Sequence, residues 1–131
     1  MNRESVHLDT NIILRLLLGD IQKQKKIAIE LLENSKCKVS DVALAEVVFV
    51  LERYYKLDRP DIKLALRALG RIDNISFNQD LLEVALRSYN NLPKLSLEDC
   101  LLAAQASIED SILVTFDKNL ASKIDNVELL K

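Results

Sequence analysis

Apolar residues in this chain fall into two rhythms, short β-leaning clusters and longer stretches with a recurrence of three or four, and the two alternate from end to end. Residues 5–8 read as a short strand, and Asp9-Thr10-Asn11 then supplies a cap for the apolar run 12–18 as a helix. Gly19 and Asp20 punctuate before a second helix, 21–34, which sets Ile27, Ala28, Leu31 and Leu32 on one face and lysines on the other. A very short strand at 38–39 precedes Ser40 and Asp41, either of which can cap a helix running to Tyr55. Arg59-Pro60-Asp61 opens a further helix with the stripe Ile62, Leu66 and Leu69, closed near Gly70. Strand 75–77 and helix 79–91 follow. Beyond Pro93, Ser96 caps a helix at 97–107; residues 111–115 read as a buried strand, 117–122 as a turn with a short helix, and 127–129 as a final edge strand.

Strands that alternate with helices imply a mainly parallel sheet of short strands covered on both faces. Nothing in the sequence reads as a repeat, linker or low-complexity segment, so residues 1–131 are expected to form one domain. Two glycines, two prolines and 49% hydrophobic residues agree, favouring long helices and a core that needs no staples. In open sheets of this kind the ligand crevice lies beyond the carboxyl ends of the strands, where Asp9 and Asp117 fall.

Charge then changes the picture. Residues 42–51 read Val-Ala-Leu-Ala-Glu-Val-Val-Phe-Val-Leu, nine apolar side chains around one acid. An unpaired buried carboxylate there costs several kcal/mol unless it binds a cation or takes a proton. Alternatively Glu46 lies on a narrow solvated stripe with Glu52 or Arg53. Asp9 is the sole acid between Ser5 and Leu18 and equally suits a helix N-cap; Asp99 opens a helix whose dipole welcomes acids; Asp117 suits a turn. Taken together, two of these acids follow strand ends and two lie in early turns of helices that a parallel sheet can aim at one crevice. Hard cations such as Mg²⁺ or Mn²⁺ take oxygen ligands and keep several waters, so a few carboxylates suffice.

Other chemistries find less support. His7 is the lone histidine and cannot form a histidine-rich zinc centre. Cys37 and Cys100 lack C-x-x-C spacing and read as buried thiols. No Gly-rich phosphate loop or G-x-S-x-G elbow occurs. Phosphatases that form an aspartyl-phosphate want Asp-x-Asp after the first strand, whereas this chain has Asp9-Thr10-Asn11; a phospho-accepting receiver domain would want an acid pair there too. The formal charge of −2 speaks against a polyanionic partner only until the four candidate ligands are set aside, which leaves 18 basic against 16 acidic side chains. The N-terminus has no apolar signal core and no run approaches about 18 apolar residues, so a cytoplasmic, membrane-free location is expected.

Four segments carry a resemblance to a known family: Leu8-Asp9-Thr10-Asn11, Ser40-Asp41-Val42-Ala43-Leu44-Ala45-Glu46, Leu97-Glu98-Asp99-Cys100-Leu101-Leu102-Ala103-Ala104, and Leu113-Val114-Thr115-Phe116-Asp117-Lys118-Asn119. In this order, and in a chain of this size, they resemble the PIN-domain family over essentially the whole length, with the toxin ribonucleases of the VapC type most similar. The resemblance implies a three-layer α/β/α fold with a short-stranded, mainly parallel central sheet. It further implies a metal-dependent endoribonuclease acting on RNA, the toxin of a type II toxin-antitoxin pair, with an antitoxin protein encoded alongside. Asp9, Asp99 and Asp117 would hold one or two Mg²⁺ or Mn²⁺ ions, and Glu46 would reach an ion directly or through water. Asn11 and Thr115 are candidates to hold those carboxylates in place, and Lys118 to meet RNA phosphate. A housekeeping RNA-processing nuclease on the same fold, or an acid-pocket module that binds without cleaving, are the competing expectations. The apolar excess of residues 42–51, 12–18 and 62–69 favours a homodimer.

Overall fold

The computed structural model describes residues 5–131 and divides the chain into two compact units, the first ending at Asn78 and the second beginning at Gln79. The first unit runs β1 (Ser5–His7), α1 (Thr10–Leu18), α2 (Gln22–Asn34), β2 (Lys36–Lys38), α3 (Asp41–Arg53), α4 (Arg59–Gly70) and β3 (Ile75–Ser76). Its sheet is parallel throughout in the order β1-β2-β3, with Val6 opposite Cys37 and Cys37 opposite Ile75. Parallel neighbours need long crossovers, and each of the two here is a helix pair, α1–α2 and α3–α4. Ile62, Leu66 and Leu69 of α4 are wholly buried, as are Leu44, Val47 and Leu51 of α3, so the α4 stripe read in the sequence is core, whereas on α2 Ala28 and Leu32 are buried and Ile27 is 57% exposed.

Local chemistry fixes the helix ends. Asp9 caps α1 by accepting the Asn11 N–H, Ser40 caps α3 by accepting that of Ala43, and Asp58 caps α4 by accepting that of Asp61. α1 stops at Gly19, whose φ of 62° lies in the left-handed region and whose N–H reaches the Arg15 carbonyl at 3.0 Å. Arg15 also closes an ion pair with Asp20 at 2.8 Å, just past that end.

Burial alternates along the strands. Cys37, Val39 and Ile75 are buried, whereas Ser5, His7, Lys36, Lys38 and Ser76 are exposed, so the sheet has an apolar face and a polar one.

The second unit runs α5 (Gln79–Asn91), α6 (Leu97–Ile108), β4 (Leu113–Thr115), α7 (Lys118–Lys123) and β5 (Val127–Leu129). α5 and α6 pack together and bury Leu82, Ala85, Leu86 and Tyr89 with Cys100, Ala103 and Ala104. β4 and β5 form a parallel pair with Leu113 opposite Val127, and the Asn126 amide donates to the Ala103 carbonyl at 3.0 Å, tying β5 to α6. Cys37 in the first unit and Cys100 in the second are buried and not disulfide-bonded, as expected. Among the described residues no helix is long and apolar enough to cross a membrane.

Helices interleaved with short parallel strands are the α/β class expected. Two strand readings need correction. β2 begins at Lys36, earlier than the expected 38–39, because its start is set by pairing with Ser5 of β1. The strand expected to be buried at 111–115 starts only at Leu113, where the Asn126 carbonyl accepts its N–H, and it is not buried: Val114 is 53% exposed. Among the described residues its ladder partner is β5 alone, so its apolar residues lack the neighbouring strands a buried position requires.

Candidate active site

Three of the four acids, Asp9, Asp99 and Asp117, sit where a helix begins, and Glu46 lies one turn further along its helix. Asp9 follows β1 and is exposed; its Oδ1 accepts the Asn11 backbone N–H at 3.2 Å, an Asx-type contact that starts α1. Asn11 therefore holds Asp9 through its main chain. Asp117 follows β4 and caps α7, its Oδ1 accepting the N–H groups of Asn119 at 2.9 Å and Leu120 at 3.1 Å. Its own N–H donates to the Thr115 hydroxyl at 3.0 Å, so Thr115 shapes the turn that presents Asp117. Lys118, next along, is exposed and lines an open groove of about 660 Å³ with Asp125, Glu128 and Lys131.

The two helical acids differ in setting. Asp99 is the third residue of α6, half-buried beside fully packed Cys100, and its N–H donates to the Ser96 hydroxyl at 3.1 Å. Neighbouring Glu98 is exposed, so Asp99 is the better held of the two. Glu46 lies in the second turn of α3, on its exposed face with Val42 and Phe49, and Arg53 stands over the Phe49 ring at 5.7 Å. The solvated stripe weighed for Glu46 is thus the one observed, and the buried alternative is not. α3 buries Ala43, Leu44, Val47, Val48 and Leu51, and that arc leaves position 46 outside.

Asp9 and Glu46 belong to the first unit, Asp99 and Asp117 to the second. Among the described residues, no three His, Cys, Asp or Glu side chains are grouped closely enough to hold a metal ion. The donors themselves suit a hard cation. Each aspartate used as a cap spends only Oδ1, and the carboxylates of Asp99 and Glu46 accept no hydrogen bond among the described residues. An all-oxygen, anionic set of this kind fits Mg²⁺ or Mn²⁺ and not a soft metal.

The family model of the PIN domain matches residues 6–126. The chain belongs to the PIN-domain family. That match takes in both units and all four acids of this PIN domain. PIN domains are in general nucleases that use divalent metal ions. Two solved structures are similar. One is a toxin-antitoxin complex from Klebsiella pneumoniae, 22% identical, covering 94% of this chain and 95% of that one, with a TM-score of 0.36. The other is VapBC2 from Rickettsia felis bound to a DNA fragment from its promoter, 20% identical, covering 96% and 97%, with a TM-score of 0.40. No curated protein matches the chain.

Proposed function

We propose that this PIN domain is a metal-dependent endoribonuclease and the toxin of a type II toxin-antitoxin pair. The observation that carries the nuclease reading is the family match at 6–126, which spans the four acid-bearing segments in order and crosses the boundary between the units. The same span supports reading residues 1–131 as one domain. The toxin role rests on the motif resemblance to the VapC type, and implies an antitoxin encoded beside it.

Asp9, Asp99 and Asp117 would hold Mg²⁺ or Mn²⁺, with Glu46 contacting an ion or its water. Bound there, the ion supplies Lewis acidity, acidifying water and neutralising charge on the phosphoryl oxygens. The chain's own part is positional. The Asn11, Asn119 and Leu120 N–H groups pin one oxygen of Asp9 and of Asp117, leaving the second oxygen of each as donor. Attack by the oxygen of water on phosphorus, with cleavage of the bond to the 3′ oxygen, leaves a 5′-phosphate and a 3′-hydroxyl. Exposed Val42 and Phe49 on α3, 77% and 52% accessible, support a homodimer.

The test is RNA cleavage in chelator, Mg²⁺ and Mn²⁺, with Asp9→Asn as control. Cleavage should need the ion and vanish in the variant, and the ion should raise the melting temperature, by about 2.7 kcal/mol of stability at a hundred times Kd. Cleavage that persists in Asp9→Asn, or in chelator, would sink the reading. Growth arrest on induction, relieved by the product of the adjacent gene, tests the toxin role.

A further inference from the structure

We propose that Asn126 is a positioning residue for the metal site: its side chain fixes α6, which carries Asp99, against the β4-β5 pair, which delivers Asp117. The proposal rests on the metal-dependent nuclease reading and lies wholly within the second unit.

Asn126 is the third residue of the turn 124–127, which the Val127 N–H closes onto the Ile124 carbonyl at 3.2 Å. Asparagine in a turn commonly bonds to nearby main chain. Here the amide instead reaches 23 residues back and donates to the Ala103 carbonyl at 3.0 Å. Helix geometry already gives that carbonyl the N–H of Ser107 as a partner, so α6 does not need Asn126 to complete its ladder. Nor does the turn, whose closing bond joins main chain to main chain. What the amide adds is a link between elements.

The main chain of the same residue extends that link. The Asn126 carbonyl accepts the Leu113 N–H at 3.0 Å where β4 begins, and the Leu130 N–H donates to the Thr115 carbonyl at 2.8 Å where β4 ends. One residue therefore joins α6 to the strand that leads into Asp117. A second attachment comes from the connection between α6 and β4, where the Ser111 N–H donates to the Ala106 carbonyl at 2.8 Å. The carbonyls of Ala103 and Ala106 lie about 4.5 Å apart along the axis of α6, so together they fix the direction of β4 and not only its start. Direction matters because Asp117 lies four residues beyond Leu113. At about 3.3 Å per residue the lever is roughly 13 Å, and a tilt of about 3° moves Asp117 by roughly 0.7 Å. Mg²⁺ takes its oxygens within a far narrower range, about 2.0–2.1 Å. On α6, Ala103 follows Asp99 by one turn, so the bond is made next to the acid it positions.

The experiment measures Mn²⁺ affinity of the full chain by electron paramagnetic resonance of the free ion, with melting in chelator and RNA cleavage rates alongside. The proteins are wild type, Asn126→Asp, Asn126→Ala and Asn74→Asp. Asn74→Asp is a matched control, since the Asn74 amide donates to the Leu32 carbonyl of α2 at 2.8 Å and α2 carries none of the four acids. Removing either amide should lower the melting temperature in chelator by about 4 °C. Only the Asn126 variants should bind Mn²⁺ about tenfold more weakly and need about tenfold more of it for cleavage, with KM for RNA unchanged. In Asn126→Asp the added negative charge by itself favours a cation, so a loss there runs against the plain charge effect. Asn126→Ala adds no charge and reads the same loss if the aspartate variant does not fold. Wild-type Mn²⁺ affinity in Asn126→Ala, or an equal loss in Asn74→Asp, overturns the positioning role and leaves the nuclease reading standing. Wild type that neither binds Mn²⁺ nor cleaves RNA defeats the nuclease reading, and the positioning role with it.

Discussion

Helices α3 and α6 open in the same manner and present their acids differently. Both are capped by a serine hydroxyl that accepts the N–H of the third helical residue at 3.1 Å, Ala43 in α3 and Asp99 in α6. In α6 that third residue is itself the acid, so the exposed cap holds the main chain of the half-buried Asp99 directly. In α3 the acid comes one turn later, at Glu46, four residues beyond Val42 and on the same open face. The lesson is that capping fixes an acid in the first turn, whereas one turn onward the buried arc of the helix decides where the acid points.

The largest expected effect separates the two acids by activity. Asp99→Asn should lower RNA cleavage by more than about a hundredfold, because groups that merely orient a metal ligand already cost 10- to 100-fold. Glu46→Gln should fall within that smaller range, as for a residue acting through water. Single-turnover cleavage rates in saturating Mn²⁺ measure both, and equal losses would erase the distinction drawn between the helices.

Next in size are the caps. Ser40→Ala and Ser96→Ala should each cost about 1 kcal/mol in chemical denaturation. Only Ser96→Ala should also weaken Mn²⁺ affinity, since it frees the N–H of Asp99, the residue proposed as a metal ligand. Equal Mn²⁺ titrations for the two variants would show that the cap does not position Asp99.

The smallest effect comes from α4, which has an acid at the same third position as α6 beneath an acidic cap. Asp58 raises the Asp61 carboxyl above the usual carboxylate range, first through a side-chain hydrogen bond and then through like charge. A folded-state value above the unfolded one means that this carboxyl favours folding at low pH. That contribution is lost as pH rises from the unfolded value near 3.8 through the raised one. Asp61→Asn should therefore flatten stability against pH in that acid window and leave the protein slightly more stable at neutral pH. Melting across pH 3 to 7 checks the sign, and a neutral-pH loss in the variant would refute it.

Much of the fold was legible because it is local. α5 over Gln79–Asn91 and β5 over Val127–Leu129 have the bounds their patterning implies, and Asp9 and Ser96 act as the caps their positions announce. What was not legible depends on pairing. The start of β2 is set by Ser5, and the accessibility of β4 by how many strands lie beside it, neither of which a periodic pattern contains. At the candidate site, Asp99 was readable from its helix start. Glu46 was not, because nine apolar neighbours in sequence leave open which arc of α3 is covered.

The two cysteines have a use unrelated to catalysis. Each unit contains one, Cys37 with no accessible surface and Cys100 with 1%, and burial raises the Cys37 thiol above its usual range. A thiol that is both shielded and protonated reacts with an alkylating reagent only when its surroundings open. Labelling kinetics, resolved by mass for the two peptides, thus turn the pair into internal clocks, one for each half of the chain. Matching rates would mean that both halves open in a single cooperative event, and unequal rates would rank them by opening free energy without any added probe.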